Sequence, residues 1–249
     1  MSIKHLSFLA LACSLTCGAM AQTILSDNFN GSTINSSLWQ TSTPFSDSSI
    51  TEGGGNAIFQ NRGRLLSTAL LPTYIDVTGS FQFTGNIHDN FEIETRTDGT
   101  SSNPYGYFDR GISFGFVIQG DLGNTANNIF IDRFNYPTAS DIDLARGTYA
   151  LSLNTFYNFR ITDDGNNLAL YIGDLTTPLL TATDSSVYGN QLAVFNREGT
   201  GGGSSISAGS IARLDFLTVQ AVPEPSTATL ALICGLGAYC LRWRKNKSV

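Results

Sequence analysis

Three residue types are scarce in the middle of this chain, and each shortage excludes a chemistry. All four cysteines (Cys13, Cys17, Cys234, Cys240) lie in the two apolar ends, so residues 22–222 contain none. An exported domain without disulfides must hold itself by core packing, and thiol catalysis is excluded. The lysines Lys4, Lys245 and Lys247 are also terminal, leaving arginine as the only permanent cation between them. With 14 basic against 20 acidic residues the net charge is −6. An acidic surface without lysine repels nucleic-acid phosphates and anionic lipids, so neither is an expected partner. His88 is the one histidine of the central span, and a single imidazole cannot build a zinc site. It stands in Asn86-Ile87-His88-Asp89-Asn90, a turn-like stretch without the nucleophile elbow of a Ser-His-acid enzyme. Gly53-Gly54-Gly55 and Gly201-Gly202-Gly203 are not phosphate loops, since no Gly-Lys-Ser/Thr follows. They read as flexible connections.

Both ends carry targeting patterns. Lys4 and His5, an apolar stretch over 6–15 and the small-x-small Ala19-Met20-Ala21 predict a secretory signal peptide, 1–21, cleaved after Ala21. At the other end, Pro223-Glu224-Pro225 can continue neither strand nor helix. Residues 226–241 carry no charge, and Arg242, Arg244, Lys245 and Lys247 follow. An apolar run closed by cations stops translocation and keeps its basic end in the cytoplasm. At about 1.5 Å per residue the run spans roughly 24 Å, short of the ~30 Å hydrocarbon core. Trp243 and Arg242 extend it at the interface.

This tripartite tail resembles the PEP-CTERM sorting signal over residues 222–249. The resemblance implies an exosortase-type membrane protease as partner, which recognises the Pro-Glu-Pro region and removes the helix. The protein would be exported across the inner membrane of a Gram-negative bacterium, anchored transiently, and delivered to the cell surface or secreted. Such systems accompany exopolysaccharide production.

The span 22–221 reads as one β domain. Phe91, Ile93 and Thr95 alternate with Glu92, Glu94 and Arg96, and Ile112, Phe114, Phe116 and Ile118 line one side of the next block. Tyr157, Phe159 and Ile161 precede an Asp-Gly turn, after which Leu168, Leu170 and Ile172 alternate again, predicting a hairpin. Further strands are expected near 24–29, 57–60, 64–69, 74–83, 128–133, 191–197 and 211–219. Short strands with one apolar face each predict two antiparallel sheets packed face to face. Ser26-Asp27-Asn28-Phe29-Asn30-Gly31 with Leu38-Trp39 resembles the opening of concanavalin A-like jelly rolls. The 154–161 block and the closing 211–219 strand are similar to the late hairpin and last strand of laminin-G-type sandwiches. Trp39 is assigned to the core.

Laminarinase-like glycoside hydrolases share that fold, and the resemblance implies carboxylates on one strand at i and i+4 with an Asp between. Glu92 and Glu94 fit the first two places, but Arg96 takes the third, and an arginine cannot donate a proton near neutrality. In the shifted frame Glu94, Arg96 and Asp98, Asp98-Gly99 reads as the turn ending the strand. The bland expectation is an exposed face with cross-strand ion pairs and no catalytic residue. Calcium is the one ion expected, with oxygen ligands from Asp27, Asp141, Asp143 and Asp163, although Asp is also a default turn residue. Sugar binding needs aromatic faces beside polar groups. Tyr105, Tyr107 and Tyr136 stand in loops that offer this mixture, and the same aromatics could instead plug an open end of the sandwich. The leading expectation is a non-enzymatic, exported β-sandwich that binds polysaccharide, with no obligatory cofactor. A hydrolase using Glu92, Glu94 and Asp98, and a ligand-free matrix protein, are the alternatives.

Overall fold

The computed structural model describes residues 21–44, 47–85, 89–102, 108–118, 128–138, 141–198 and 211–222. The signal-peptide residues 1–20, the tail 223–249, His88, Tyr105, Tyr107 and residues 201–203 lie outside the described residues. Gln22–Ala221 forms one compact unit. Its strands in chain order are β1 (Gln22–Asp27), β2 (Trp39–Ser42), β3 (Ser49–Gly53), β4 (Asn56–Gln60) and β5 (Arg64–Ser67). Then come β6 (Ile75–Phe83), β7 (Asp89–Thr97), β8 (Arg110–Val117), β9 (Asn128–Asn135) and β10 (Ile142–Thr148). The chain closes with β11 (Tyr157–Asp163), β12 (Asn167–Ile172), β13 (Leu180–Thr183), β14 (Gln191–Glu198) and β15 (Ile211–Ala221). Among the described residues there is no helix, and so none long and apolar enough to cross a membrane.

The strands form two antiparallel sheets. The first has the order β13-β12-β11-β6-β15-β4-β3, with β1 added on β15, and the second β10-β9-β8-β7-β14-β5-β2. Period-two alternation places one apolar row of each strand between them. Val77, Phe81, Phe159, Ile161, Leu217 and Val219 meet Phe91, Ile93, Phe114, Phe116, Ile131 and Val194 in one continuous core. Phe81 is its aromatic centre, 4.4 Å from Phe116, 5.6 Å from Phe91 and 6.1 Å from Phe159 between ring centroids. Such ring pairs add about 0.5–1.5 kcal/mol each beyond area burial. The expected hairpin is present as β11 and β12, Phe159 opposite Ile172 and Asp163 opposite Leu168. The closing strand returns beside the first, Gln22 opposite Ala221. Trp39 is buried, its indole N–H donating to Asp27 Oδ2 at 2.8 Å. Four short strands, β2, β3, β10 and β13, have no counterpart among the expected ones. Each is mostly exposed or half-buried along its length, so no apolar alternation marks it.

Candidate functional site

The second sheet has an outer face as well as the face it turns to the core. Cross-strand pairing decides which side chains share it. Glu92 pairs with Phe195 and Gly115, and Glu94 with Ala193 and Ser113. Ser113 pairs with Asp132, Gly115 with Phe130, and Gly111 with Phe134. Arg64 and Leu66 continue the rows on β5. On this face, away from the main core, Phe108, Phe134, Ala193 and Phe195 form a second apolar cluster with Leu66 against it.

The two glutamates are enclosed within this face. Glu92 and Glu94 are both 0% exposed, so the expected solvent-facing row of ion pairs is corrected. Neighbouring glycines and aromatics explain the enclosure. A Cβ on Gly111 would collide with the Glu94 carboxyl, and one on Gly115 with the Phe130 ring, so the missing side chains are what give both groups their seats. Arg64 stacks over Phe108 at 5.2 Å, and Phe108 meets Phe195 edge-on at 5.8 Å.

Electrostatics separates the carboxyls. Glu92 Oε2 accepts the Ser113 hydroxyl at 2.6 Å. Neither Glu94 oxygen has hydrogen-bond geometry to a described group. Burial pushes Glu94 well above the usual carboxylate range, the Thr97 hydroxyl draws it partly back, and Glu92, Asp98 and Asp109 push it further up. It therefore holds its proton more tightly than an ordinary carboxyl. Asp132 is raised to about 8, mainly by burial, then by Asp143 beside it, with Arg146 opposing.

A β-bulge settles where Arg96 goes. Gln191 pairs with Thr97 but Ala193 with Glu94, so Thr95 and Arg96 together oppose Leu192. Arg96 takes the left-handed conformation at φ 57°. Strict alternation would put it on the Glu92 face, but the extra residue turns it away and returns Thr97 to Glu94's side. Its Nε reaches Asp163 at 2.9 and 3.1 Å, and its Nη1 the carbonyls of Asp184 and Ser186 at 2.6 and 3.0 Å. Arg96, expected on an exposed face, is thus a buried tie between the sheets.

The other candidates divide as well. Asp98 follows the strand as a turn residue, accepting the N–H of Thr100 at 2.9 Å, and does not join the carboxyl pair. Tyr136 begins the turn after β9, its N–H donating to the Asp109 carbonyl at 2.8 Å beside Phe108. Phe108 follows the plug reading of that loop, being buried with Phe134 and Phe195. The calcium set does not assemble. Asp27 is engaged by the N–H groups of Phe29 and Trp39, Asp163 by Arg96 and Thr95, and Asp143 by Arg146. Among the described residues no group of three or more His, Cys, Asp and Glu is arranged to hold a metal ion. Asp109 and Asp132 escaped sequence reasoning because only the folded chain brings their charges near those of Glu94 and Glu92. The one available signal was alternation in β9, which places Asp132 opposite Ile131.

No known protein-family profile and no curated protein matches the chain. Solved structures do match in fold. One comes from work on endo-acting O-glycanases of the human gut microbiota that initiate mucin breakdown (TM-score 0.60, 8% identity, 81% of this chain and 100% of that one). SCLam, a non-specific endo-β-1,3(4)-glucanase of family GH16, matches at TM-score 0.59 and 11% identity over 81% of this chain and 91% of its own. The catalytic domain of an endo-1,3-β-glucanase (laminarinase) from Thermotoga petrophila RKU-1 matches at 0.57 and 10% over 82% and 99%. The concanavalin A-like jelly roll expected from sequence is therefore the fold, since identities this low speak for fold alone. Several of the matching jelly rolls are named as glycan-cleaving enzymes, against the expectation of a non-enzymatic sandwich, and a carbohydrate-binding module, CBM66 from Bacillus subtilis, matches as well (TM-score 0.54, 12% identity, 74% of this chain and 96% of that one).

Proposed function

We propose that this domain hydrolyses a polysaccharide on the outer face of its second sheet, with Glu92 and Glu94 as its carboxyl pair. The supporting observation is the pairing of Glu92, held by the Ser113 hydroxyl, with a second carboxyl on the same face, Glu94, whose proton affinity burial raises. Environments that push two carboxyls apart in pKa are how one site holds a base and an acid at one pH. Phe108, Phe130, Phe134 and Phe195 are buried on that face and would meet sugar C–H faces only when it opens. Because both glutamates are enclosed, Phe108 and Arg64 must part from Phe195 before a glycan chain reaches them. A neutral glycan suits the acidic, lysine-free domain better than a polyanion. The named activities of the structural neighbours make β-1,3- and mixed-linkage glucans the first substrates to try.

The termini add a delivery route to this reading. Signal peptide 1–21, domain 22–221 and a PEP-CTERM-like tail 222–249 would export the domain and pass it through an exosortase-type protease to the surface. Mass spectrometry of the secreted protein is then expected to find the peptide after Pro225 missing. The hydrolytic reading is tested by reducing-sugar release from laminarin, mixed-linkage β-glucan and mucin O-glycans with the full chain. Release that vanishes in Glu92→Gln supports it. A folded wild-type protein that releases nothing from any of the three overturns it.

A further inference from the structure

We infer that Phe108 fills a sugar subsite beside Glu94, and that Arg64 pins the ring there through hydroxyl contacts that a glycan's own hydroxyls replace. The inference rests on the hydrolytic reading for the face on which the glycan lies, and its test needs no turnover. Strand register places the parts. Ser42, Arg64, Phe195 and Glu92 stand level on β2, β5, β14 and β7. Two residues further along the same face, Leu66, Ala193 and Glu94 stand level. Ala193 carries only a methyl group, so β14 has a hollow at that level, bounded by Leu66 on one side, Glu94 on the other and Phe195 along its own strand.

Phe108 occupies that hollow. It comes from the segment before β8 and is 3% exposed. It clusters with Ala193, Phe134 and Phe195, Leu66 packing against the group, and its ring meets Phe195 edge-on at 5.8 Å. Phe108 takes no part in the main core between the sheets, so its departure leaves that core intact. A pyranose has six ring members like the phenyl ring it would replace. Its C–H face suits apolar walls, and its hydroxyls need polar groups at the rim.

Arg64 supplies both the hold and the rim. Its guanidinium lies over the Phe108 ring at 5.2 Å. Nη2 donates to the Ser42 hydroxyl at 3.0 Å, and Nη1 donates to the Ser101 hydroxyl. Arg64 is buried, whereas Ser42 and Ser101 are exposed. Hydrogen bonds from a cation to neutral hydroxyls are weaker than those to a carboxylate. A sugar hydroxyl is the same kind of acceptor, so exchanging serine for sugar leaves these donors bonded. The Phe108 ring, freed from beneath the guanidinium, turns out of the hollow. A sugar ring then enters beside Glu94, and Arg64 fixes its hydroxyls. Arg64 is a clasp in the resting chain and a sugar-binding residue in the open one.

The test uses the full chain with two readouts. Labelling of Glu92 and Glu94 by a water-soluble carbodiimide and glycine ethyl ester, read by mass spectrometry, reports access to the carboxyls. Calorimetry in the Glu92→Gln background, where no probe is consumed, reports binding of laminaritriose, a mixed-linkage β-glucan trisaccharide and a mucin core O-glycan. In wild type both glutamates are expected to label far more slowly than Asp143, whose side chain is 63% exposed. Phe108→Ala is expected to speed their labelling and to tighten binding of at least one probe by about 2–10-fold, the worth of one ring pair. A merely loosened fold would label faster but bind less. Adding Ala193→Leu to Phe108→Ala refills the hollow and is expected to cancel both gains. Ser42→Ala with Ser101→Ala removes the competing hydroxyls at exposed positions and is expected to move both readouts the same way, by about 2–10-fold. That double variant carries the test if Phe108→Ala folds poorly by circular dichroism. Carboxyls as protected as in wild type, or no tighter binding of any probe, in a folded variant of either kind overturns the inference. Expected labelling and binding together with a wild type that releases no sugar overturns the hydrolytic reading alone.

Discussion

Arg96 and Asp163 form a buried ion pair that joins β7 of one sheet to the end of β11 in the other. Their side chains are 7% and 1% exposed. The Thr95 hydroxyl donates to the same carboxylate at 2.8 Å, and Arg133 holds the neighbouring Asp184 at 2.7 Å. The bulge that leaves Glu92 and Glu94 without Arg96 beside them is therefore the device that closes this end of the sandwich.

Asp163→Ala leaves the Arg96 guanidinium buried without its carboxylate. Removing one partner of a buried pair costs about 3–5 kcal/mol. Chemical denaturation is expected to show a loss of that order, and a loss below about 1 kcal/mol would count against a structural tie here.

Gly111→Ala places a methyl group where the Glu94 carboxyl now sits. Overpacking of this kind costs about 1–3 kcal/mol. A lower urea midpoint is expected, because Glu94 is displaced along the strand row. An unchanged midpoint would mean that the carboxyl has room to move aside.

Stability is expected to fall as pH rises from about 4 to 8. Asp132, raised to about 8, and Glu94, raised well above its usual range, hold protons in the folded chain that an unfolded chain releases near pH 4. The native state then binds more protons than the unfolded one across that window. Their contribution is complete below the unfolded pKa and is lost as pH climbs toward the folded value. Urea midpoints at pH 5 and pH 8 test this, and Asp132→Asn or Glu94→Gln should each flatten the difference.

Chelation is expected to leave the melting temperature unchanged. The oxygens of Asp27 are taken up by Phe29 and Trp39, and those of Asp163 by Arg96 and Thr95. A drop in Tm on adding EGTA would reveal a calcium site elsewhere. Asp27→Ala, by contrast, should destabilise by about 1–3 kcal/mol, since the buried Trp39 N–H loses its acceptor.

Long, strongly alternating strands were legible because one apolar row of each must enter the core. Phe91 and Ile93 against Glu92 and Glu94 show this plainly, as do Phe159 and Ile161 before the turn to β12. Strands such as β10 and β13 bury little on either side, so their side chains carry no period. The glutamates illustrate the opposite difficulty. Their polar row looked like a solvated face, and only Arg64 and Leu66 of β5 and the aromatic groups of β9, β14 and the segment before β8 enclose it.

Local rules therefore determined the class of the domain and argued against thiol, zinc and serine-triad chemistry, since these follow from composition and period two. The tertiary structure alone decided the fate of Arg96, the raised proton affinity of Glu94 and the place of Asp132. Each depends on one inserted residue or on neighbours distant in sequence, and burial, which moves a carboxyl's pKa most, exists only once those neighbours have been brought together.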